Sequence, residues 1–385
     1  MIPYGRQSIS EADIAAVVEV LRGDWITQGP AVPRFEAAVA TYCGSLYGVA
    51  VSHGTAALHL ACWALGLGPG DVLWTSPNTF VASANCALYC GAEVDFVDID
   101  PHTYNLSVDS LEQKLQQAQR RGKLPRVVLA VHFAGQPCDM QGIARLSDKY
   151  GFRVIEDASH AFGASYQGEK IGACRYSDLT TFSFHPVKIF TTGEGGMVTT
   201  NDKSLAQRLS LLRQHGLQRS AEPPERDGQG GWFYEQIDLG YNYRLTDIQA
   251  ALGLSQLRRV DEFVRKRRAL AARYDKLLAS MPLVLPFQAP STESSWHLYT
   301  IRIDGEETSL KRLDVYNAMR QQGIGVNVHY IPVHTQPYYR ARGFKPGDFP
   351  QAENYYESAL TLPIHPGLSD AEQDEVVQAL GHVLL

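Results

Sequence analysis

The alternation of short apolar runs with helical patterns restricts the fold of this chain more than any other feature. The runs that predict strands are residues 48–52, 71–75, 93–98, 126–133 and 153–157. Helical patterns lie between and around them, beginning with a helix that Ser10 caps and that reaches Leu21. Strands that alternate with helices build βαβ units. The sequence therefore predicts an α/β fold with a mostly parallel sheet between helices.

A different pattern begins near Ser291. It predicts strands at residues 296–303 and 326–331, and helices at residues 310–323, 353–359 and 370–384. A charged, largely helical stretch, residues 246–272, leads into it. We expect a large α/β domain with an N-terminal arm at residues 1–250, and a linker helix with a small α+β domain at residues 251–385. The polar, Pro/Gly-rich residues 218–231 predict a mobile loop.

Composition excludes several classes of function. The 385 residues carry a net charge of −6, which argues against a surface for nucleic acid or anionic membrane. No apolar run approaches the roughly 18 residues of a membrane span, and the N-terminus lacks the apolar core of a signal peptide. We therefore expect a cytoplasmic protein. None of the six cysteines forms a CxxC pair, and we interpret Cys86 and Cys90 as core residues rather than metal ligands.

Lys188 is the strongest single indication of chemistry. It follows an apolar, strand-like run at residues 181–187 and precedes a glycine-rich turn at residues 193–196. Burial lowers the pKa of a lysine and makes its amine nucleophilic, so that it can form a Schiff base with a carbonyl compound. The ordinary alternative is a lysine at a strand end that extends its charge to water.

Other polar residues fall at the ends of predicted strands, where ligands of parallel sheets bind. The amides of Gly54, Thr55 and Ala56 begin a helix and can hold a phosphate. Asp157 ends a strand and can keep a pyridine nitrogen protonated, as pyridoxal phosphate chemistry requires. The alternatives are a simple helix cap for the first group and a turn cap for Asp157.

Three further residues fit the same cofactor. His160 can donate to a phenolic oxygen, Ser183 can bind a phosphate, and Phe80 can stack on a flat ring. Each has an ordinary alternative as a packed or outward-facing side chain. No GxGxxG motif opens the first helix, which disfavours a dinucleotide-binding dehydrogenase.

Taken in order, these motifs resemble the sugar aminotransferases of the DegT/DnrJ/EryC1/StrS family, which are fold-type-I pyridoxal phosphate enzymes. The resemblance covers nearly the whole chain. The segments that carry it are Trp25–Pro30, Ser52–Ala56, Pro77–Ala82, Glu156–His160, Ser183–Lys188, Gly193–Gly196 and Gly240–Asp247.

The resemblance implies a role for each candidate residue. Lys188 is the Schiff-base lysine, Asp157 binds the pyridine nitrogen and His160 lies near the phenolic oxygen. The resemblance also implies that Asn242 reaches the cofactor phosphate of a second subunit, which predicts a homodimer with shared active sites. The implied stacking and phosphate contacts are those of Phe80, Gly54, Thr55 and Ser183. The candidate substrate contacts, for which packing is the alternative, are Trp25, Thr27, His329 and Tyr330.

The reaction implied is transfer of the amino group of L-glutamate to the 4-keto carbon of a nucleotide-linked deoxy sugar. His185–Lys188 and Val326–Arg340 resemble the 4-aminotransferases of pseudaminic acid biosynthesis. That likeness predicts UDP-2-acetamido-2,6-dideoxy-beta-L-arabino-hex-4-ulose as the substrate. The alternatives are another UDP-, GDP- or dTDP-linked 4-keto sugar, or a sugar dehydratase, which Lys188 disfavours. A binding protein without catalysis is a third alternative, and a lysine and an aspartate kept together argue against it.

Overall fold

The computed structural model describes residues 1–218 and 232–384. Apart from Gln218, the loop predicted over residues 218–231 lies outside that part of the chain. Along the described residues, strands and helices alternate as the sequence predicts.

A seven-stranded sheet forms the centre of the larger part of the chain, in the order β1-β9-β8-β5-β4-β2-β3. All neighbouring pairs are parallel except the two that β9 makes. The predicted mostly parallel sheet is therefore confirmed. In chain order, the strands are β1 Tyr47–Val51, β2 Val72–Thr75, β3 Glu93–Phe96, β4 Val127–Val131, β5 Arg153–Asp157, β6 Ser165–Tyr166, β7 Glu169–Lys170, β8 Leu179–Ser183, β9 Gly196–Thr200, β10 Leu217–Gln218, β11 Glu235–Gln236, β12 Leu283–Val284, β13 Thr292–Glu293, β14 Tyr299–Ile303 and β15 Ala359–Leu362.

Helices cover both faces of this sheet. The helix α1 begins with the predicted cap, since Ser10 and Asp13 exchange side-chain and backbone hydrogen bonds. The helices are α1 Glu11–Arg22, α2 Ala31–Cys43, α3 Gly54–Ala64, α4 Ala82–Tyr89, α5 Val108–Arg120, α6 Met140–Tyr150, α7 Lys203–Leu212, α8 Asp247–Leu257, α9 Val260–Leu277, α10 Arg312–Gln321, α11 Pro337–Arg340, α12 Pro350–Ser358 and α13 Asp370–Leu384.

The core lies on the two faces of the sheet, as strand β4 shows. Val128 and Ala130 pack into one apolar cluster, whereas Val127, Leu129 and Val131 pack into another. Successive side chains of a strand point to opposite faces, so a strand that is apolar throughout is buried on both. This explains why the sequence of β4 is apolar at every position.

The C-terminal part has its own antiparallel sheet, β12-β14-β15, and its own apolar cluster. Arg267, on α9, is almost fully buried and donates hydrogen bonds to the carbonyl oxygens of Trp296, His297 and Ile364. It thereby fastens α9 to the C-terminal part. The predicted division at residue 250 stays a prediction.

Two local predictions of strands were wrong. Residues 326–331 form no strand: Asn327 alone makes an isolated bridge, to Thr361, before the chain turns and Val333 donates to the carbonyl of Pro77. The strand before Lys188 ends at Ser183, because Phe184 instead pairs with a loop.

The pattern of residues 79–90 predicts a helix that begins at Thr79, whereas α4 begins at Ala82. The stretch predicted to be largely helical, residues 246–272, is confirmed as two helices, α8 and α9, which are separated between Leu257 and Val260. No helix in residues 1–218 and 232–384 has both the length and the apolar character to cross a membrane.

Candidate active site

A cavity of about 610 Å³ lies at the carboxyl ends of β4, β5 and β8. This is the edge of a parallel sheet at which ligands bind. It brings together nine of the predicted site residues: Gly54, Thr55, Phe80, Asp157, His160, Ser183, Lys188, His329 and Tyr330.

Lys188 lies in a turn after β8, where its amide donates to the carbonyl of His185 at 2.9 Å. Its side chain is half-buried against the cavity. Burial lowers the pKa of Lys188 from 10.5 to about 8, and the negative charge of Asp157 opposes part of that change. The lysine therefore has a substantial uncharged fraction near neutral pH.

The N-terminus of α3 faces the same cavity. His53 caps the helix, since its Nδ1 accepts the amide of Ala56 at 2.9 Å. The amide of Ala56 is therefore already hydrogen-bonded. Of the three amides predicted to hold a phosphate, those of Gly54 and Thr55 remain. A Cβ atom on Gly54 would lie 2.8 Å from the Cβ of Ser183, so only glycine allows this close approach.

Asp157 ends β5 and is almost fully buried. Its Oδ2 accepts the hydroxyl of Ser83 at 2.7 Å. Its Oδ1 accepts the amide of Ser159 at 3.1 Å and the hydroxyl of the same residue at 2.6 Å. These contacts hold the carboxylate in one orientation.

His160 and Tyr330 meet across the cavity, with 3.1 Å between the His160 Nε2 and the Tyr330 hydroxyl. Burial lowers the pKa of His160 well below its usual range, and the charges of Lys188 and His329 act in the same direction. Burial likewise lowers the pKa of His329 to about 3. Both imidazoles are therefore uncharged at neutral pH, and His329 Nδ1 lies 2.9 Å from the hydroxyl of Thr361.

Phe80 precedes α4 and leaves 58% of its surface exposed while lining the cavity. Its ring centre lies 6.3 Å from that of Tyr330. An exposed aromatic ring at the wall of a cavity is available to stack on a flat ligand.

Four predicted residues do not line this cavity within one chain. Ala56 is buried, and its amide is bound by His53. Trp25 is 60% exposed, Thr27 pairs with the backbone of Thr246, and Asn242 is exposed.

Sequence reasoning missed several residues that the fold brings to the site. Tyr4 comes from the N-terminal arm and its ring lies at a tilt to that of His329, with 5.4 Å between ring centres. No local pattern marks it. Ser83 and Ser159 both contact Asp157. The sequence offered a signal for each of them, because Ser83 lies three residues after Phe80 and Ser159 lies two residues after Asp157.

The residues present fit pyridoxal phosphate. Gly54, Thr55 and Ser183 form a narrow cradle beside a helix N-terminus, which suits a phosphate. Asp157, Phe80 and Lys188 supply, on the walls of one cavity, the carboxylate, the aromatic face and the amine that the cofactor needs.

A mostly parallel sheet with this set of residues at its carboxyl edge defines a fold-type-I enzyme that depends on pyridoxal phosphate. Comparison with known proteins agrees. The chain belongs to the DegT/DnrJ/EryC1/StrS aminotransferase family, whose model matches residues 7–381. It is a sugar aminotransferase.

Individual relatives extend over the whole chain. The spore coat polysaccharide biosynthesis protein SpsC of Bacillus subtilis is 39% identical over 386 residues, covering 100% of this chain and 97% of that protein. Among solved structures, the PMP form of Spr1654 from Streptococcus pneumoniae has a TM-score of 0.90 at 31% identity, covering 100% and 99% of the two chains. PseC of Helicobacter pylori, an aminotransferase of pseudaminic acid biosynthesis, has a TM-score of 0.90 at 28% identity with the same coverage.

Proposed function

We propose that this enzyme moves the amino group of L-glutamate to the 4-keto carbon of a nucleotide-linked deoxy sugar. The substrate that we propose is UDP-2-acetamido-2,6-dideoxy-beta-L-arabino-hex-4-ulose. The likeness of His185–Lys188 and Val326–Arg340 to pseudaminic acid enzymes supports this choice, as does the structural similarity to PseC.

A 4-amino sugar of another polysaccharide is the second candidate. The observation that favours it is the higher identity to SpsC, 39% against 28% for PseC, since SpsC is named for spore coat polysaccharide biosynthesis. Both candidates require the same amino transfer.

The observation that carries the proposal is that Lys188 and Asp157 line the same cavity. When bound, pyridoxal phosphate supplies a carbonyl group that exchanges amino groups and a ring that takes up an electron pair. An amine with a pKa of about 8 can both accept and return a proton near neutral pH. We propose that Lys188 Nζ removes the proton from the carbon that bears the amino group of glutamate, and later returns a proton to the sugar carbon that receives it.

The other residues of the site hold and orient the cofactor. We propose that Asp157 accepts the hydrogen bond of the ring nitrogen and that Phe80 covers one face of the ring. Gly54, Thr55 and Ser183 bind the phosphate. His160, uncharged, can donate to the phenolic oxygen without adding a positive charge beside Lys188.

We further propose a homodimer in which Asn242 binds the cofactor phosphate of the other subunit. The exposed position of Asn242 supports this role. Exposed apolar residues in the same two regions as Asn242 and Trp25, among them Ile26, Ile237 and Leu239, fit a surface that a second subunit covers. Trp25 and Thr27 would then contact substrate across the interface, with His329 and Tyr330 opposite. The cytoplasmic location stays a prediction.

The test is the visible absorption of the purified protein with pyridoxal phosphate, before and after L-glutamate. We expect a band that glutamate removes, and we expect Lys188→Ala to abolish that response, whereas Lys203→Ala, at an exposed lysine, retains it. A panel of 4-keto nucleotide sugars then identifies the acceptor by mass spectrometry of the amino product. A protein that shows no band with added cofactor would contradict the proposal.

A further inference from the structure

The carboxylate of Asp157 is nearly saturated with hydrogen bonds from the protein itself. A carboxylate has about four acceptor positions, two on each oxygen. Ser159 takes both positions of Oδ1 through its amide and its hydroxyl, and Ser83 takes one position of Oδ2. Since Asp157 lines the cavity, one acceptor position on Oδ2 is left for a donor bound there.

The direction of the Ser83 hydrogen bond follows from its neighbours. The Ser83 hydroxyl lies 2.7 Å from Asp157 Oδ2 and 2.8 Å from the hydroxyl of Thr79. An ionised carboxylate can only accept, so Ser83 donates its proton to Asp157. Thr79 must then donate to Ser83. Thr79 and Ser83 are 3% and 1% exposed, so water does not readily replace either bond.

The same short segment also carries Phe80. Thr79, Phe80 and Ser83 all line the cavity, at the start of α4. The hydrogen bond from Ser83 therefore ties the segment that presents the aromatic ring to the strand that presents the carboxylate. A ring bound against Phe80 and a nitrogen directed at Asp157 need these two groups in a fixed relation.

We propose that Ser83, supported by Thr79, is a positioning residue that orients Asp157 so that its remaining acceptor position receives the ring nitrogen of the cofactor. This inference deepens the proposed function and rests on it. Ser83 acts through Asp157, by fixing the carboxylate and by compensating part of its charge in a buried site.

The test compares Ser83→Ala with Thr75→Val. Thr75 is equally buried and its hydroxyl donates to the carbonyl of Leu129 at 2.9 Å, so its loss removes a buried hydrogen bond without touching Asp157. Two quantities are measured for each variant: the dissociation constant of pyridoxal phosphate from titration of the apoprotein, and the rate at which L-glutamate removes the visible band. Urea unfolding of the apoproteins reports the general cost of each substitution.

We expect Ser83→Ala to raise the dissociation constant of the cofactor and to lower the rate of the glutamate reaction. The two factors multiplied together should amount to roughly 10- to 100-fold, the size of a lost hydrogen bond to a charged group. Thr75→Val should change neither by more than about twofold, although it unfolds at lower urea. A Ser83→Ala protein that matches Thr75→Val in both quantities would overturn the inference.

A second pair of variants decides the question if Ser83→Ala fails to fold. Thr79→Ser keeps the hydroxyl that donates to Ser83, whereas Thr79→Val removes it with little change of shape. We expect Thr79→Ser to behave as wild type and Thr79→Val to lose cofactor affinity. Equal behaviour of the two would refute the role of this hydrogen bond. Failure of the proposed function is distinguishable, because the wild-type protein would then neither bind the cofactor nor respond to glutamate.

Discussion

The lowered pKa of Lys188 leads to a measurement that needs no cofactor. Burial brings this pKa from 10.5 to about 8. At pH 7 an amine with a pKa of 8 is about 10% uncharged, whereas one at 10.5 is about 0.03% uncharged, a difference of roughly 300-fold. Since only the uncharged amine is nucleophilic, the structure predicts that Lys188 reacts unusually fast near neutral pH.

The assay is competitive labelling of the apoprotein with limiting acetic anhydride between pH 6 and pH 11. Mass spectrometry of the peptide that contains Lys188 gives the labelled fraction relative to a free lysine derivative. We expect half-maximal labelling near pH 8. In Asp157→Asn the midpoint should fall further, because the negative charge that favours the protonated lysine is gone.

The same shift predicts how stability depends on pH. Between pH 8 and 10.5 the unfolded chain binds more protons at Lys188 than the folded chain does, so this residue makes stability rise with pH there. The destabilisation that comes from burying the charged Lys188 is complete below pH 8 and absent above pH 10.5. We expect apo Lys188→Met to be more stable than wild type at pH 7, with a difference that closes towards pH 10.5. A labelling midpoint above pH 10, or a difference that stays constant with pH, would refute the reasoning.

Three shorter predictions address binding and assembly. If active sites are shared, mixing inactive Lys188→Ala with Asn242→Ala should restore about one quarter of wild-type activity, since half of the random dimers have one intact site; no recovery after mixing would contradict the shared site. Phe80→Ala should weaken pyridoxal phosphate binding roughly 10-fold in a fluorescence titration, because the stacking face is lost, and unchanged affinity would exclude stacking. Asp247 accepts two backbone amides of residues 29–31 at 2.7 Å each, so Asp247→Ala should lower the free energy of unfolding by about 3 kcal/mol in urea. Asp247→Asn, which keeps one acceptor, should lose less, and equal losses would show that the acceptor retained in Asp247→Asn contributes nothing to stability.

Much of the architecture could be predicted because its causes are local. The alternation of apolar strands and helices and the capping box formed by Ser10 and Asp13 depend on residues a few positions apart. Lys188 and Asp157 could also be found this way, since each lies beside a predicted strand end in an unusual context. The order of these motifs then identified the family.

Local patterns failed where distant residues compete for the backbone. The alternating residues 326–331 look like a strand, yet Asn327 finds one partner at Thr361 and the next residues turn towards Asn78 and Pro77. A strand needs a neighbouring strand along its whole length, and the sequence of one segment does not report whether that neighbour is present.

The site itself divides in the same way. The sequence by itself determined the chemistry: a lysine amine, a carboxylate and a helix N-terminus on a mostly parallel sheet. Only the tertiary structure decided which side chains surround them, including Tyr4 from the N-terminal arm, Tyr330 against His160, and Ser83 on Asp157. The reason is physical, because hydrogen bonds and burial between residues far apart in the chain depend on how the elements pack, and packing leaves no periodic trace in the sequence.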